Sequence, residues 1–159
     1  GRMNITATKR GVTIIDDTYN ANPGSMLAAI HTLAALSKSN RSVLVVGDML
    51  ELGDDSEQLH YGIGETAART PISLLYATGQ HADFVAQGAR EKGMAPEDVV
   101  VGDKAVIIDA IKKKLSTGDF ILIKGSRGSA MERIAEPLLD WAAQFNGENE
   151  LPNDVNKSE

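Results

Sequence analysis

Short apolar runs alternate with amphipathic segments along this chain, and that alternation restricts the fold more than any other feature. Val43-Leu44-Val45-Val46 and Ile121-Leu122-Ile123 are apolar at every position, as strands are when both faces of a sheet are covered. The segments between such runs carry apolar residues at helical spacing. In residues 25–36, Met26, Leu27, Ile30, Leu33 and Ala34 fall on one stripe. The pattern predicts strands at 3–8, 12–17, 42–46, 73–78, 99–101 and 120–124. It predicts helices at 25–36, 55–69, 80–92 and 104–115, and a last one from residue 129. Strands alternating with helices imply right-handed crossovers and a mainly parallel sheet of about six strands with helices on both faces, a three-layer α/β domain. The first two strands flank the tight turn Lys9-Arg10-Gly11 and are expected to form a hairpin, which makes one of them antiparallel to the rest.

Local punctuation supports this reading. Asn22 is placed to cap the first helix, with Pro23 at its first position. Asp54 with Glu57, and Ser129 with Glu132, are spaced like capping boxes. Asp103 is a further cap, and Gly93 closes the third helix. Pro137 should kink the last helix or mark its boundary. From Gly147 the chain is polar and is expected to be disordered. The expected organisation is therefore one domain over residues 1–146, followed by a tail at 147–159.

Several function classes are disfavoured. A formal net charge of −6 makes binding to a nucleic-acid backbone by bulk charge a poor reading. The absence of cysteine removes disulfides, thiolate catalysis and cysteine-ligated zinc, and fits a cytoplasmic protein. No apolar run approaches the roughly 18 residues a membrane helix needs. Gly1-Arg2-Met3-Asn4 has no signal-peptide pattern and no obvious start, so the chain is expected to begin inside a longer protein. There is no Gly-x-x-x-x-Gly-Lys-[Ser/Thr] loop, no Gly-x-Gly-x-x-Gly after the first strand and no Gly-x-Ser-x-Gly elbow. The chain offers binding groups without a complete catalytic set.

Those groups sit on three loops that follow strands and precede helices, so all three should open on one sheet edge, where open α/β sheets bind ligands. The first is Asp16-Asp17-Thr18-Tyr19-Asn20-Ala21-Asn22-Pro23. The second is Gly47-Asp48-Met49-Leu50-Glu51-Leu52-Gly53, and the third Lys124-Gly125-Ser126-Arg127-Gly128-Ser129. Acids, amides, one lysine and one arginine around a cleft suit a ligand bearing both a cation and an anion, such as an amino acid or peptide. Arg127 could clamp a carboxylate with two parallel hydrogen bonds. Asp48 or Glu51 could accept from an ammonium group, and Asp17 from a ribose hydroxyl. Plainer roles stay open beside these. Asp16 or Asp17 could cap the loop, Asn20 and Asn22 could serve the turn and the helix, and Tyr19 could be half-buried packing. Gly125 and Gly128 could only permit a tight turn, and Lys124 and Arg127 could be solvated charges. His31, His60 and His81 show no metal-ligand spacing and read as structural or surface residues, although His60 could face the cleft.

Taken in order, the three loops resemble one family, the Mur ligases of peptidoglycan synthesis. The residues that carry the resemblance are Asp16 to Met26, Gly47 to Gly53 with His60 downstream, and Lys124-Gly125-Ser126-Arg127 with Met131-Glu132. Gly1-Arg2-Met3 looks like the family's entry from its central domain. Within the family the likeness is to the C-terminal domain of ligases that add D-alanyl-D-alanine to UDP-N-acetylmuramoyl-tripeptide. The resemblance implies a Rossmann-like domain that closes over ATP and the incoming dipeptide. It implies that the N-terminal and central domains, absent from this chain, bind the UDP-linked precursor and hold most contacts to ATP and Mg2+. It places Asp17, Tyr19, Asn20 and Asn22 near ATP, and Asp48, Leu52, His60, Lys124, Ser126 and Arg127 on the dipeptide side. On this reading the isolated domain is inactive. Two other classes compete with it: a free-standing Rossmann-like module that binds a nucleotide or peptide without chemistry, and a scaffold of a cell-wall synthesis complex. A scaffold would need a sizeable exposed apolar patch outside the loops, which the sequence does not show.

Overall fold

The computed structural model describes residues 3–144. The expected boundary at 146, the tail from 147 and the first two residues of the N-terminal entry motif lie outside the described residues. In chain order the elements are β1 (Asn4–Ala7), β2 (Thr13–Asp17), α1 (Pro23–Ser37), β3 (Ser42–Val46), α2 (Ser56–Arg69), β4 (Leu74–Ala77), α3 (Ala82–Glu91), β5 (Val99–Val101), α4 (Lys104–Lys114), β6 (Phe120–Lys124) and α5 (Glu132–Ala143). One six-stranded sheet has the order β1-β2-β6-β3-β4-β5. β1 pairs antiparallel with β2, and every other pairing is parallel. No described helix is long and apolar enough to cross a membrane.

The all-apolar runs follow from burial on both faces. Successive strand residues point to opposite sides. Ile15, Leu44, Val46, Leu75 and Leu122 share one core with Met26, Ile30, Leu33, Ile63 and Val85 of α1, α2 and α3. Ile14, Val43, Val45, Tyr76, Ile121 and Ile123 share the other with Ile107, Ile111, Ile134 and Leu138 of α4 and α5. Register then aligns the carboxyl ends. Asp17 and Val46 both lie level with Lys124, and Ala77 lies level with Val46. The loops after β2, β3, β4 and β6 therefore leave from one edge.

Two of the expected capping boxes do not form. Gly53–Asp55 forms a 3-10 turn, α2 begins at Ser56, and no side chain caps it, so the Asp54–Glu57 box does not form. Ser129 lies in the 3-10 turn Arg127–Ser129, and its hydroxyl donates to the Ser126 carbonyl at 2.6 Å instead of capping α5. Pro137 sits inside α5, which continues through it to Ala143, so it marks no boundary. The buried face Ile134, Ala135, Leu138 and Ala142 holds the helix on the sheet across the missing N–H. Asn22 and Asp103 cap α1 and α4 as expected.

α2 and α3 pack at backbone contact. A methyl group at Gly64 would lie 1.8 Å from the Val85 carbonyl oxygen, and one at Gly88 would lie 2.1 Å from that of Tyr61. Gly64→Ala is therefore expected to destabilise the domain by about 2 kcal/mol or more, because the helices must part. Gly62→Ala meets nothing within 4 Å and should be neutral or stabilising by up to about 1 kcal/mol. Urea unfolding of both variants checks this, and equal midpoints would contradict it.

Candidate functional site

The loop after β6 is the hub of the carboxyl edge. The Lys124 ammonium donates to Asp17 Oδ2 at 2.9 Å and to the Asn20 carbonyl at 2.8 Å. The Lys124 side chain is only 4% exposed, and Asp17 14%. Ser126 Oγ donates to the Ala21 carbonyl at 3.1 Å and accepts the Leu50 N–H at 2.9 Å. The Ser126 N–H donates to the Asp48 carbonyl. One lysine and one serine thus join all three loops.

The first loop is also held locally. Asp16 Oδ1 accepts from the Thr18 backbone and hydroxyl, and Asn20 Oδ1 accepts from the Ala21 N–H. Asn22 accepts from the Ser25 N–H at 2.8 Å while Ser25 Oγ accepts from the Asn22 N–H at 3.0 Å, a reciprocal cap on α1. Tyr19 is exposed, with the Arg127 guanidinium 5.5 Å from its ring centre, within the range of a cation–π contact.

In the second loop, the Asp48 carboxylate turns to the loop after β4. It accepts the N–H groups of Gln80 at 2.8 Å and His81 at 2.9 Å, at the start of α3, where a negative charge is favoured by the helix dipole. His60 is 1% exposed and accepts the Met49 N–H on Nε2 at 3.0 Å. Burial lowers the His60 pKa below the usual histidine value, the contact with the Ser56 carbonyl opposes this, and the neighbouring His81 adds to the lowering. Leu50 and Glu51 are left exposed, and Glu51 adopts a left-handed φ of 61°.

Two polar clefts open between these loops. One, of about 540 Å³, is lined by Asn20, Asn22, Glu51, Leu52, Ser126 and Arg127 among others. The other, of about 380 Å³, is lined by Asp17, Tyr19, Asn20, Asn22, Ser25 and Lys124 among others. They share Asn20 and Asn22. A separate hollow of about 600 Å³ lies between α1 and α2, bordered by Leu27, Gln58 and Gly62. Eight of the ten sequence-derived site residues line one cleft or the other. Asp48 and His60 line neither, and hold the second loop from behind. The expectation that His60 could face the cleft therefore fails, because its ring is buried beneath Met49.

The sequence reading left out the fourth loop, Thr78-Gly79-Gln80-His81. It follows a strand and precedes a helix at the same edge, which was signal enough to include it. It also brings His81 beside His60, with ring centroids 4.4 Å apart and planes inclined by 17°. Ligand atoms of Asp48, His60 and His81 lie within 4.8 Å of one another despite their wide separation in the chain. A cation among them does not fit the hydrogen bonding, because the single lone pair of His60 Nε2 already accepts the Met49 N–H.

Comparison with known proteins assigns this edge to a family. Residues 1–127 match the family model described as the Mur ligase, glutamate ligase domain. The chain belongs to the Mur ligase family. Among curated Mur ligases, this domain is 36% identical over 139 residues to the UDP-N-acetylmuramoyl-tripeptide--D-alanyl-D-alanine ligase of Bacillus subtilis, covering 87% of the chain and 30% of that protein. It is 39% identical over 129 residues to the protein of the same name from Escherichia coli, covering 79% of the chain and 26% of that protein. The MurF ligase of Thermotoga maritima, solved in complex with ADP, superposes with a TM-score of 0.72 at 28% identity, over 88% of this Mur ligase domain and 30% of that chain. MurF from Acinetobacter baumannii superposes with a TM-score of 0.73 at 34% identity, over 87% and 30%. The six-stranded sheet with one antiparallel pair is the Rossmann-like arrangement of these neighbours. The domain thus spans about 30% of the length of the Mur ligases it matches.

Proposed function

We propose that this chain is the dipeptide-side domain, over residues 1–146, of an ATP-dependent ligase that adds D-alanyl-D-alanine to UDP-N-acetylmuramoyl-tripeptide in peptidoglycan synthesis. The observation that carries the reading is the likeness to ligases of that name, combined with the meeting of the three family loops around two adjoining polar clefts. The cleft beside Asp17, Tyr19, Asn20 and Asn22 suits the nucleotide, in keeping with the ADP bound by the Thermotoga maritima relative. The cleft beside Leu52, Ser126 and Arg127 suits the dipeptide, whose carboxylate Arg127 can hold through its fork of donors. Lys124, Asp48 and His60 act on the ligands through loop shape, because their polar atoms are bonded within the protein.

In the complete enzyme the precursor's terminal carboxylate attacks the γ-phosphate of ATP, giving an acyl phosphate and ADP. The dipeptide amine then attacks the acyl carbon, the amide forms, and phosphate leaves. This domain would orient the amine and exclude water that would otherwise hydrolyse the acyl phosphate. Mg2+ would be held outside the domain. Asp16, Asp17 and Asp48 are bonded to Thr18, Lys124 and the α3 N-terminus, and the Asp48–His60–His81 group offers imidazole nitrogens where Mg2+ prefers oxygen. The central and N-terminal domains, as further partners, would supply the remaining contacts. The reading carries a cytoplasmic location with it.

Backbone amide NMR of this chain tests the placement. On addition of ADP and then D-alanyl-D-alanine, the shifts expected to move are those of residues 19–22, 50–52 and 127–128. Movement confined to the α1–α2 hollow around Leu27 and Gly62 would count against it.

A further inference from the structure

We propose that His60 is the positioning residue of the second cleft loop, fixed in its neutral Nδ1–H form, and that Ser56 and His81 extend its hydrogen bonding to Asp48 as a latch. The inference concerns this chain's own residues and does not rest on the ligase reading.

The tautomer follows from donors and acceptors. A backbone N–H can only donate, so the 3.0 Å contact from Met49 requires a bare Nε2 on His60. The proton must then sit on Nδ1, where it donates to the Ser56 carbonyl at 2.6 Å. Ser56 Oγ lies 3.2 Å from His81 Nε2. His81 Nδ1 is buried, makes no hydrogen bond and lies 3.5 Å from Asp48 Oδ1, so His81 reaches Asp48 through its backbone N–H. Asp48 accepts the Gln80 N–H as well. The residues directly before Leu50-Glu51-Leu52 are thus gripped twice, Asp48 by its side chain and Met49 by its N–H. Leu50, Glu51 and Leu52 line the 540 Å³ cleft, so the latch sets the position of one cleft wall.

A second proton on His60 would set Nε2–H against the Met49 N–H, two donors facing each other. The titratable groups facing His60 are Asp48, with Oδ1 4.0 Å from Nε2, and His81, stacked on its ring. Asp48 favours the charged ring, while burial and His81 oppose it more strongly. Because the folded pKa is lowered, the latch is complete above the ordinary histidine value of about 6.5. It is lost as the pH falls through the lower folded value.

The test is NMR of this chain with ¹⁵N-labelled histidine. His60 is expected to show a neutral Nδ1–H ring, titrating below the ordinary histidine value of about 6.5, with the Met49 amide shift following the His60 titration. His60→Ala is expected to speed Met49 amide exchange by about tenfold or more, His60→Gln to restore part of the protection through its carbonyl, and His31→Ala to leave it unchanged. An Nε2–H tautomer at His60 would overturn the proposal. Unchanged Met49 exchange in a folded His60→Ala would do so too. Zinc that displaced the Met49 N–H and bound His60 and His81 tightly would overturn it in favour of a metal site. Should His60→Ala not fold, the tautomer and titration of the unaltered chain still decide the question.

Discussion

Lys124→Met is expected to destabilise the domain by about 3–5 kcal/mol, the cost of breaking a buried ion pair from one side. Methionine keeps most of the apolar stem of lysine but leaves the Asp17 carboxylate and the Asn20 carbonyl without their 2.9 Å and 2.8 Å donor. Both lie on the first cleft loop, so the loss is local as well as global. The 380 Å³ cleft, lined by Asp17, Tyr19, Asn20 and Lys124 together, should lose its shape before the sheet melts. Lys124→Met combined with Asp17→Asn should recover part of the loss, since the orphaned charge is removed. Urea unfolding of the single and double variants measures both effects. A loss below about 1 kcal/mol in the single variant would show the pair to behave as a surface pair.

Arg127→Ala has the opposite profile. The side chain is exposed, and its one described aromatic contact, at 5.5 Å from the Tyr19 ring centre, contributes about 0.5–1 kcal/mol in water. The urea midpoint should therefore hardly move. In the complete enzyme the KM for D-alanyl-D-alanine is expected to rise by about 100-fold, the loss of a two-bond charge-assisted clamp on a carboxylate. The KM for ATP should stay near its original value. Arg127→Lys should restore less than the charge alone would suggest, because an ammonium lacks the planar fork. Ordinary saturation by the dipeptide in Arg127→Ala would remove Arg127 from the dipeptide site.

The architecture was legible where the pattern depends on burial alone. Val43 to Val46 and Ile121 to Ile123 read as strands covered on both faces, and their side chains do split between the two cores. Asn22 followed by Pro23 read as a cap because both residues point to the same position. The starts of α2 and α5 differ for a local reason. Acid and hydroxyl spacings of three residues before α2 and α5 imitate capping boxes, but a 3-10 turn tightens each approach and moves the helix start downstream.

The site was legible as an edge and not as a set of directions. Strand-to-helix order places Asp17, Asp48, Lys124 and Arg127 on one rim. Which of them face the cleft depends on contacts between distant segments, such as Ser126 with Ala21 across 105 residues. Asp48 and His60 have the chemistry of ligand-binding groups, yet each meets a backbone N–H of a loop and turns inward. His81 read as a structural or surface residue, because no spacing in the sequence places it beside Asp48 and His60. The fourth loop donates to the site chiefly through its backbone.

The measurement that bears most directly on the account is ADP release by the complete enzyme that contains this domain. It would be supplied with ATP, Mg2+ and UDP-N-acetylmuramoyl-tripeptide, with and without D-alanyl-D-alanine. The account predicts release that requires the dipeptide and that neither D-alanine nor L-alanine supports. Release at the same rate without the dipeptide, or with a single amino acid in its place, would contradict it and give the clefts to a different acceptor.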